Sequence, residues 1–391
     1  MKMENKASFV HKILFRRENF IMVNNKRLLD TFLEYVRIDS ETGNEKAFAD
    51  RMVQELKALG GVVTTDKTGE ALGSNGYNIY STFEGALPGE PILFSAHMDT
   101  VKPGIGIKPV VADGIIRSSG DTILASDDKS GVAGILEAIR SIKEQGAPHR
   151  TFEVIFTICE EGGLRGAKQL DYSRIRSKKG VALDSSGNVG KIIAQAPGQI
   201  KIYADVIGKT AHAGIAPESG ISAIQVAAHG IAKMQLLRID EETTANIGVI
   251  NAQYATNIVP DKVSIVAETR SRNYDKLQAQ AKHMVDCLQS ACDAFGAKLE
   301  CRCDTAYVSY NIPHDHALIQ ELSAVLADMG IEPVVGSTGG GSDVNIFNLN
   351  GIDAVVLATG MSKVHTTDEF IEVRQLELTA EMMYRLMIAA R

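Results

Sequence analysis

The feature that most restricts the fold of this chain is a series of short, wholly apolar runs, each followed by a histidine or a carboxylate. Ile92-Leu93-Phe94 leads into Ser95-Ala96-His97-Met98-Asp99, and Ile123-Leu124 into Ala125-Ser126-Asp127-Asp128. Val154-Ile155-Phe156 leads to Cys159-Glu160-Glu161-Gly162-Gly163, and Val181-Ala182-Leu183 to Asp184. Ala354-Val355-Val356-Leu357 closes the series, with Val364-His365 beyond it. Unbroken apolar runs belong to strands buried on both faces, and such strands form parallel sheets covered by helices. Helical stripes lie between them. Leu28, Leu29, Phe32, Leu33 and Val36 share a face over residues 25–37. Phe48, Met52, Leu56 and Leu59 do so over 45–59, with Gly60 as a stop. The expected fold is α/β, a mixed, largely parallel sheet flanked by helices. Ligands collect beyond the carboxyl ends of strands in such sheets, and there this chain puts its His, Asp and Glu.

Residues 197–308 follow another pattern. A strand over 199–207, a helix over 221–237, strands over 246–250 and 262–270, a helix over 275–295 and a strand over 298–303 are expected. That order is a split βαβ unit, an inserted α+β domain of ferredoxin-like type serving as lid or dimerisation domain. The sheet-rich domain, which carries the strand-end His, Asp and Glu, is then discontinuous, 22–196 plus 309–391, with hinges near 195–198 and 307–311. A chain of 391 residues has room for both units. Ahead of them, His11, Lys12, Arg16 and Arg17 interrupt the apolar residues, so no signal-peptide core forms. Residues 1–21 are expected to be a non-native or disordered extension before a natural start at Met22.

Charge and composition remove several classes of function. A net charge of -7 gives no basic face for nucleic acid, and no stretch approaches the ~20 apolar residues of a membrane span. Five cysteines without framework spacing fit a reducing, cytoplasmic setting. Cys301-x-Cys303 has no second pair to complete a metal site, so free thiols are expected. Ser126 and Ser337 lie outside any Gly-x-Ser-x-Gly elbow, which excludes a serine hydrolase.

Each histidine or carboxylate has an ordinary reading by itself: a helix cap, a turn residue, a solvated loop side chain. Five successive strand-end clusters along one sheet are another matter. Two neighbouring divalent ions need several carboxylates, one of them bridging, together with neutral imidazoles. Water between such ions becomes acidic enough to attack a polarised carbonyl, and a carboxylate outside the ligand set can carry its proton to the leaving amine.

His97-Met-Asp99-Thr-Val, Ser126-Asp127-Asp128-Lys129-Ser-Gly131, Glu160-Glu161-Gly-Gly, Leu183-Asp184 and the late His365 resemble the co-catalytic zinc aminopeptidase/aminoacylase/carboxypeptidase family. The peptidase T branch, the tripeptide aminopeptidases, fits best, from about residue 25 to the C-terminus. The resemblance implies that His97 and Asp184 hold one ion, Glu161 and His365 the other, and that Asp127 bridges them. It implies two Zn2+ per chain, with Mn2+ or Co2+ as alternatives. Asp99 would hydrogen-bond His97 and fix its tautomer, Glu160 would be the general base, and the Asp127-Asp128 peptide bond would be cis. His212, in Gly208-Lys-Thr-Ala-His212-Ala-Gly214, would stabilise the oxyanion. Arg270, ahead of Arg272, would anchor the substrate carboxylate. Asn257 would line the cleft, and Gly339 and Gly340 of the Ser337–Asp343 loop would offer backbone N–H groups to it. That loop lacks the Gly-Lys-Ser/Thr ending of a phosphate loop.

The activity so implied is hydrolysis of the N-terminal amide bond of short peptides. An N-acyl amino acid amidohydrolase or a carboxypeptidase of the same family is the alternative. A metal-retaining binding protein is a further one, against which the presence of Glu160 and every ligand counts. A homodimer through the inserted domain is expected.

Overall fold

The computed structural model describes residues 22–389. The expectation for residues 1–21 lies outside these described residues. Four of the five apolar runs lie in a nine-stranded sheet. Its centre is Arg150–Thr157, Leu87–His97, Lys179–Ser185 and Asp353–Ala358, paired in that order and all parallel. Their side chains are buried on both faces, with Ile92, Leu93, Phe94, Val154, Ile155 and Phe156 at most 1% exposed. Shorter strands complete the sheet, antiparallel on one side at Ile79–Phe83 and Val62–Thr65. On the other side stand Lys191–Ala196 and its partners Tyr310–Asn311 and Val334–Ser337. Helices Asn25–Val36, Ser126–Gln145 and Val373–Ile388 pack together, the latter two against the central strands. A separate ribbon of three strands, Pro109–Ala112, Ile115–Ser118 and Phe370–Glu372, was not expected from the sequence.

Two hydrophobic cores are present. The larger draws on residues from Val23 to Ala196 and from Tyr307 to Met387. The smaller lies wholly between Ile200 and Cys292. Around the smaller core runs an antiparallel sheet in the order Leu237–Arg238, Thr243–Asn251, Lys262–Ser271, Gly198–Ile207, Lys298–Tyr307. Alternation sorts its faces: Ile200, Ile202, Ala204 and Val206 point to helices Ala223–Ile231 and Tyr274–Phe295. The first of these helices is shorter than the periodicity predicts. The chain turns after Ala232, and Leu237, with φ +65°, brings it to the sheet edge as a short strand. Both crossings between the cores are tied by one side chain: the buried Asn345 amide donates to the Pro197 carbonyl (3.0 Å) and the Val308 carbonyl (2.7 Å).

Candidate metal centre

The carboxyl ends of the parallel strands deliver their donors to one place. His97 is the last residue of its strand, Asp184 stands at the end of Lys179–Ser185, and Glu160–Glu161 follow Arg150–Thr157 by three residues. Asp127 lies in the first turn of Ser126–Gln145 with non-helical backbone angles, and the Asp127-Asp128 peptide bond is cis. His365 arrives on the loop after Asp353–Ala358. Ala125, Cys159 and His365 all have left-handed φ, between +53° and +63°, a conformation that non-glycine residues seldom adopt. Three of the donor loops are thus bent in a way the side-chain pattern does not announce.

The distances sort these groups. Asp127 turns one oxygen to each imidazole: Oδ1 is 3.1 Å from His97 Nε2, and Oδ2 is 3.2 Å from His365 Nε2. Asp184 is 3.9 Å from His97 Nε2, and Glu161 is 2.7 Å from His365 Nε2. Donor atoms of His97, Asp127 and Asp184 lie within 4.8 Å of one another, as do those of Asp127, Glu161 and His365. Two sets of oxygen and nitrogen donors sharing one aspartate fit two divalent ions with a bridging carboxylate. Glu160 falls within the same reach of His97 and Glu161 and is 7% exposed.

Electrostatics reflect this crowding. Burial draws the His97 imidazole down, but Asp127 and Asp99 overcome it and hold it well above its ordinary value. The carboxylates of Asp127 and Glu161 raise His365 to about 10. Burial, then the charge of Asp184, raises Glu160 well above the carboxylate range. Burial, then Asp127, does the same to Asp184. Carboxyl groups that resist charging in isolation are those a cation stabilises.

Asp99 does hydrogen-bond His97, through a different group than expected, and a second expectation needs correction. The Asp99 carboxylate does not chiefly serve His97, whose Nδ1 meets the Asp99 backbone carbonyl at 2.9 Å. It accepts instead from the Glu160 N–H (2.8 Å), the Glu161 N–H (3.2 Å) and Thr42 Oγ1 (2.7 Å), so it holds the turn carrying both glutamates. His97 Nδ1 is 3.5 Å from that carboxylate. Nor is Ile123-Leu124 a strand: the Leu124 and Ala125 N–H groups donate to a carboxylate of Glu369 rather than to a neighbouring strand.

Glu369 was missed. Its buried carboxylate accepts from Leu124 N–H (2.8 Å), Ala125 N–H (2.9 Å), Ser126 Oγ (2.5 Å) and Asp127 N–H (3.1 Å). Asp343, read only as the end of a glycine-rich loop, was missed as well. It is 4% exposed, accepts from Thr157 Oγ1 at 2.5 Å, and burial raises it to about 6. Asp128, beside the bridge, accepts from the His97 N–H and from the Gly131 N–H. A Cβ at Gly131 would stand 2.4 Å from Asp128 Oδ1 and 2.6 Å from Leu183 Cβ, so only glycine lets this helix approach the Asp184 strand.

The residues expected to bind substrate separate into two groups. A cavity of about 220 Å³ opens onto Asp127, Glu160, Glu161, Asp184 and His365, and Gly340 is in its wall. Arg270 pairs with Glu268 (2.8 Å) and reaches the Gly339 carbonyl across the cleft at 3.4 Å. His212 and Asn257 stand together elsewhere, exposed, joined by the Ala213 N–H donating to the Asn257 carbonyl, and neither lines the cavity.

The profile of "Peptidase family M20/M25/M40" matches residues 93–389. The chain is 43% identical to the "Uncharacterized protein YqjE" of Bacillus subtilis, over 93% of this chain and 98% of the relative. It is 43% identical to the aminopeptidase PepT of Bacillus cereus, whose crystal structure superposes with a TM-score of 0.88 over 94% of this chain and 99% of the other. A tripeptidase of Staphylococcus aureus is 39% identical, with a TM-score of 0.91 over the same shares. Sequence identity of this extent over nearly the whole fold settles the kinship, and the chain belongs to peptidase family M20/M25/M40, the metal-dependent peptidases.

Proposed function

We propose that this protein is a cytoplasmic two-zinc aminopeptidase that removes the first residue of tripeptides. The observation that carries the reading is Asp127, which offers one oxygen to each of two His-carboxylate sets while Glu160 stands beside them. The identity to an aminopeptidase and a tripeptidase supports the substrate class. Mixed imidazole and carboxylate donors suit zinc, and the five free cysteines suit a reducing compartment. Two ions held there would polarise the scissile carbonyl and acidify the attacking water.

The protein's own groups do the rest. Glu160, nearly buried and reluctant to stay charged, takes the proton of the water and returns it to the departing amine. Asp99 holds the backbone of Glu160 in place. Arg270, which reaches the Gly339 carbonyl across the cleft, would receive a C-terminal carboxylate. Leu237–Arg238 covers Thr243–Asn251 only at Thr244 and Ala245, and the exposed Val249 and Ile250 beyond it support pairing of two copies there.

Hydrolysis of a small panel tests this reading: a tripeptide, its N-acetyl form, the matching dipeptide and an N-acetyl amino acid. Cleavage of the free tripeptide at its first bond, lost on N-acetylation and with chelator, is the expected result. Preference for the N-acetyl amino acid would move the protein to the acylase side. Glu160→Ala is expected to keep both ions and the fold while kcat falls by about 10²–10⁴. Unchanged turnover would remove Glu160 from the role of base.

A further inference from the structure

The lining of the cavity extends beyond the donor groups of the metal centre. It follows the strand Lys191–Ala196, whose Ile193 is in the wall. At one end are Thr338 and Gly340, next to the Gly339 carbonyl that Arg270 touches. At the other end are Ser185, Ser186 and Lys191. The register fixes the separation. Val334 lies opposite Lys191 and Ser337 opposite Gln195, so the two ends are four residues of strand apart, ~13 Å. An extended tripeptide of ~10 Å, with its first side chain reaching onward, spans that length. If its carboxylate is at the Arg270 end and its first carbonyl at the ligands, the first side chain points to Lys191.

Lys191 is built for contact with a ligand. It lines the same cavity as Asp127, Glu160, Glu161 and Asp184, yet makes no ion pair and no side-chain hydrogen bond among the described residues. A lysine present to balance the carboxylates would pair with one of them. The same cavity wall carries the apolar side chains of Val356, Met361 and Val364. A side chain with methylenes in the middle and an acceptor at its end matches that sequence of surfaces.

We infer that Lys191 selects the first residue of the substrate, favouring side chains that end in a carboxylate or amide oxygen, glutamate above all. The inference rests on the aminopeptidase reading and names the specificity of its site. The test uses the zinc-loaded, full-length protein with Glu-Gly-Gly, Leu-Gly-Gly and Lys-Gly-Gly competing in one mixture. Ratios of kcat/KM within each protein cancel any general loss of activity. The wild type is expected to prefer Glu-Gly-Gly over Lys-Gly-Gly by about tenfold or more. Lys191→Glu reverses the order, and Lys191→Met brings the ratio within about threefold of unity. Should Lys191→Glu fail to fold, the Met variant carries the comparison. The same ratio in wild type and variants, or a wild-type preference for the lysine peptide, overturns the inference while cleavage of Leu-Gly-Gly leaves the aminopeptidase reading intact. If the wild type with two ions bound cleaves none of the three, the aminopeptidase reading falls and this inference falls with it.

Discussion

Glu369 is the residue on which the shape of the centre depends without being one of its donors. Four donors from Leu124 to Asp127 converge on its carboxylate, and it lies four residues beyond His365. One buried group therefore ties the loop of Asp127, shared by both donor sets, to the loop of His365. Hydrogen bonds to a charged group contribute about 1.5–3 kcal/mol each, and donors left buried without a partner cost more than the bond itself. Glu369→Ala is expected to lower the stability of the ion-free protein by about 3 kcal/mol and to weaken ion uptake about 10–100-fold. Denaturant melts with chelator and calorimetric zinc titration check both, and unchanged ion affinity would leave Glu369 a purely structural group. The donors themselves were legible because divalent ions accept few residue types and strand ends are where those residues gather. Glu369 was not, because a glutamate after Thr366-Thr367-Asp368 reads as a solvated loop residue. The one hint was the Phe370-Ile371 run directly after it, which pulls it inward. Asp99 shows a subtler limit: its presence could be read from sequence, but whether it serves His97 or the Glu160 backbone depends on a turn with left-handed φ at Cys159.

At the scale of elements, legibility followed burial. Each of the four central strands contains its apolar run, and Leu87–His97 reaches well ahead of its own because the exposed Pro88–Glu90 carry no apolar signal. The inserted sheet was readable because its alternation is regular, as in Val263, Ile265 and Ala267. Short edge strands such as Val62–Thr65 and Val334–Ser337 were missed, since they are mostly exposed and hold their place by pairing, a long-range property. Helix Ala223–Ile231 shows how packing overrides periodicity. Gly230 lets it meet helix Tyr274–Phe295 closely: a Cβ there would stand 2.9 Å from Leu288 Cδ2 and 3.1 Å from Leu288 Cα. Gly230→Ala gains helix propensity of about 1 kcal/mol but forces this contact apart, an overpacking cost of about 1–3 kcal/mol. A net loss of stability confined to the inserted domain is expected, visible as faster amide exchange in Ala223–Ile231 and Tyr274–Phe295 than in Ser126–Gln145. Uniform exchange in both units would show that the helix contact yields without cost.

For the whole molecule, the two cores meet along a cleft whose crossings are held by Asn345, and the metal centre faces that cleft from the larger core. Ion binding should therefore set the stability and pH response of the entire larger unit. His97 and His365 are both raised by neighbouring carboxylates, His365 to about 10. Burial raises Glu160 and Asp184 as well, so the ion-free folded state holds more protons than the unfolded chain. For His365 that contribution is complete below the unfolded value near 6.5 and is lost as pH rises through about 10. Chelated protein is thus expected to lose stability on going from pH 6.5 towards 10. With zinc the trend reverses, because a metal needs the lone pairs those protons occupy. Uptake must expel them, one for each imidazole and so one for each ion, and the affinity of each site is expected to rise by up to about one decade per pH unit between pH 6 and 8. At a free-zinc level a hundredfold above Kd, each site adds about 2.7 kcal/mol to folding. Calorimetry in buffers of different ionisation heat reads the protons released, and melts with and without chelator across pH read the two opposing slopes. Zinc uptake with no proton release, or parallel slopes, would show that the imidazoles are already neutral and that their carboxylate partners are committed elsewhere in the site.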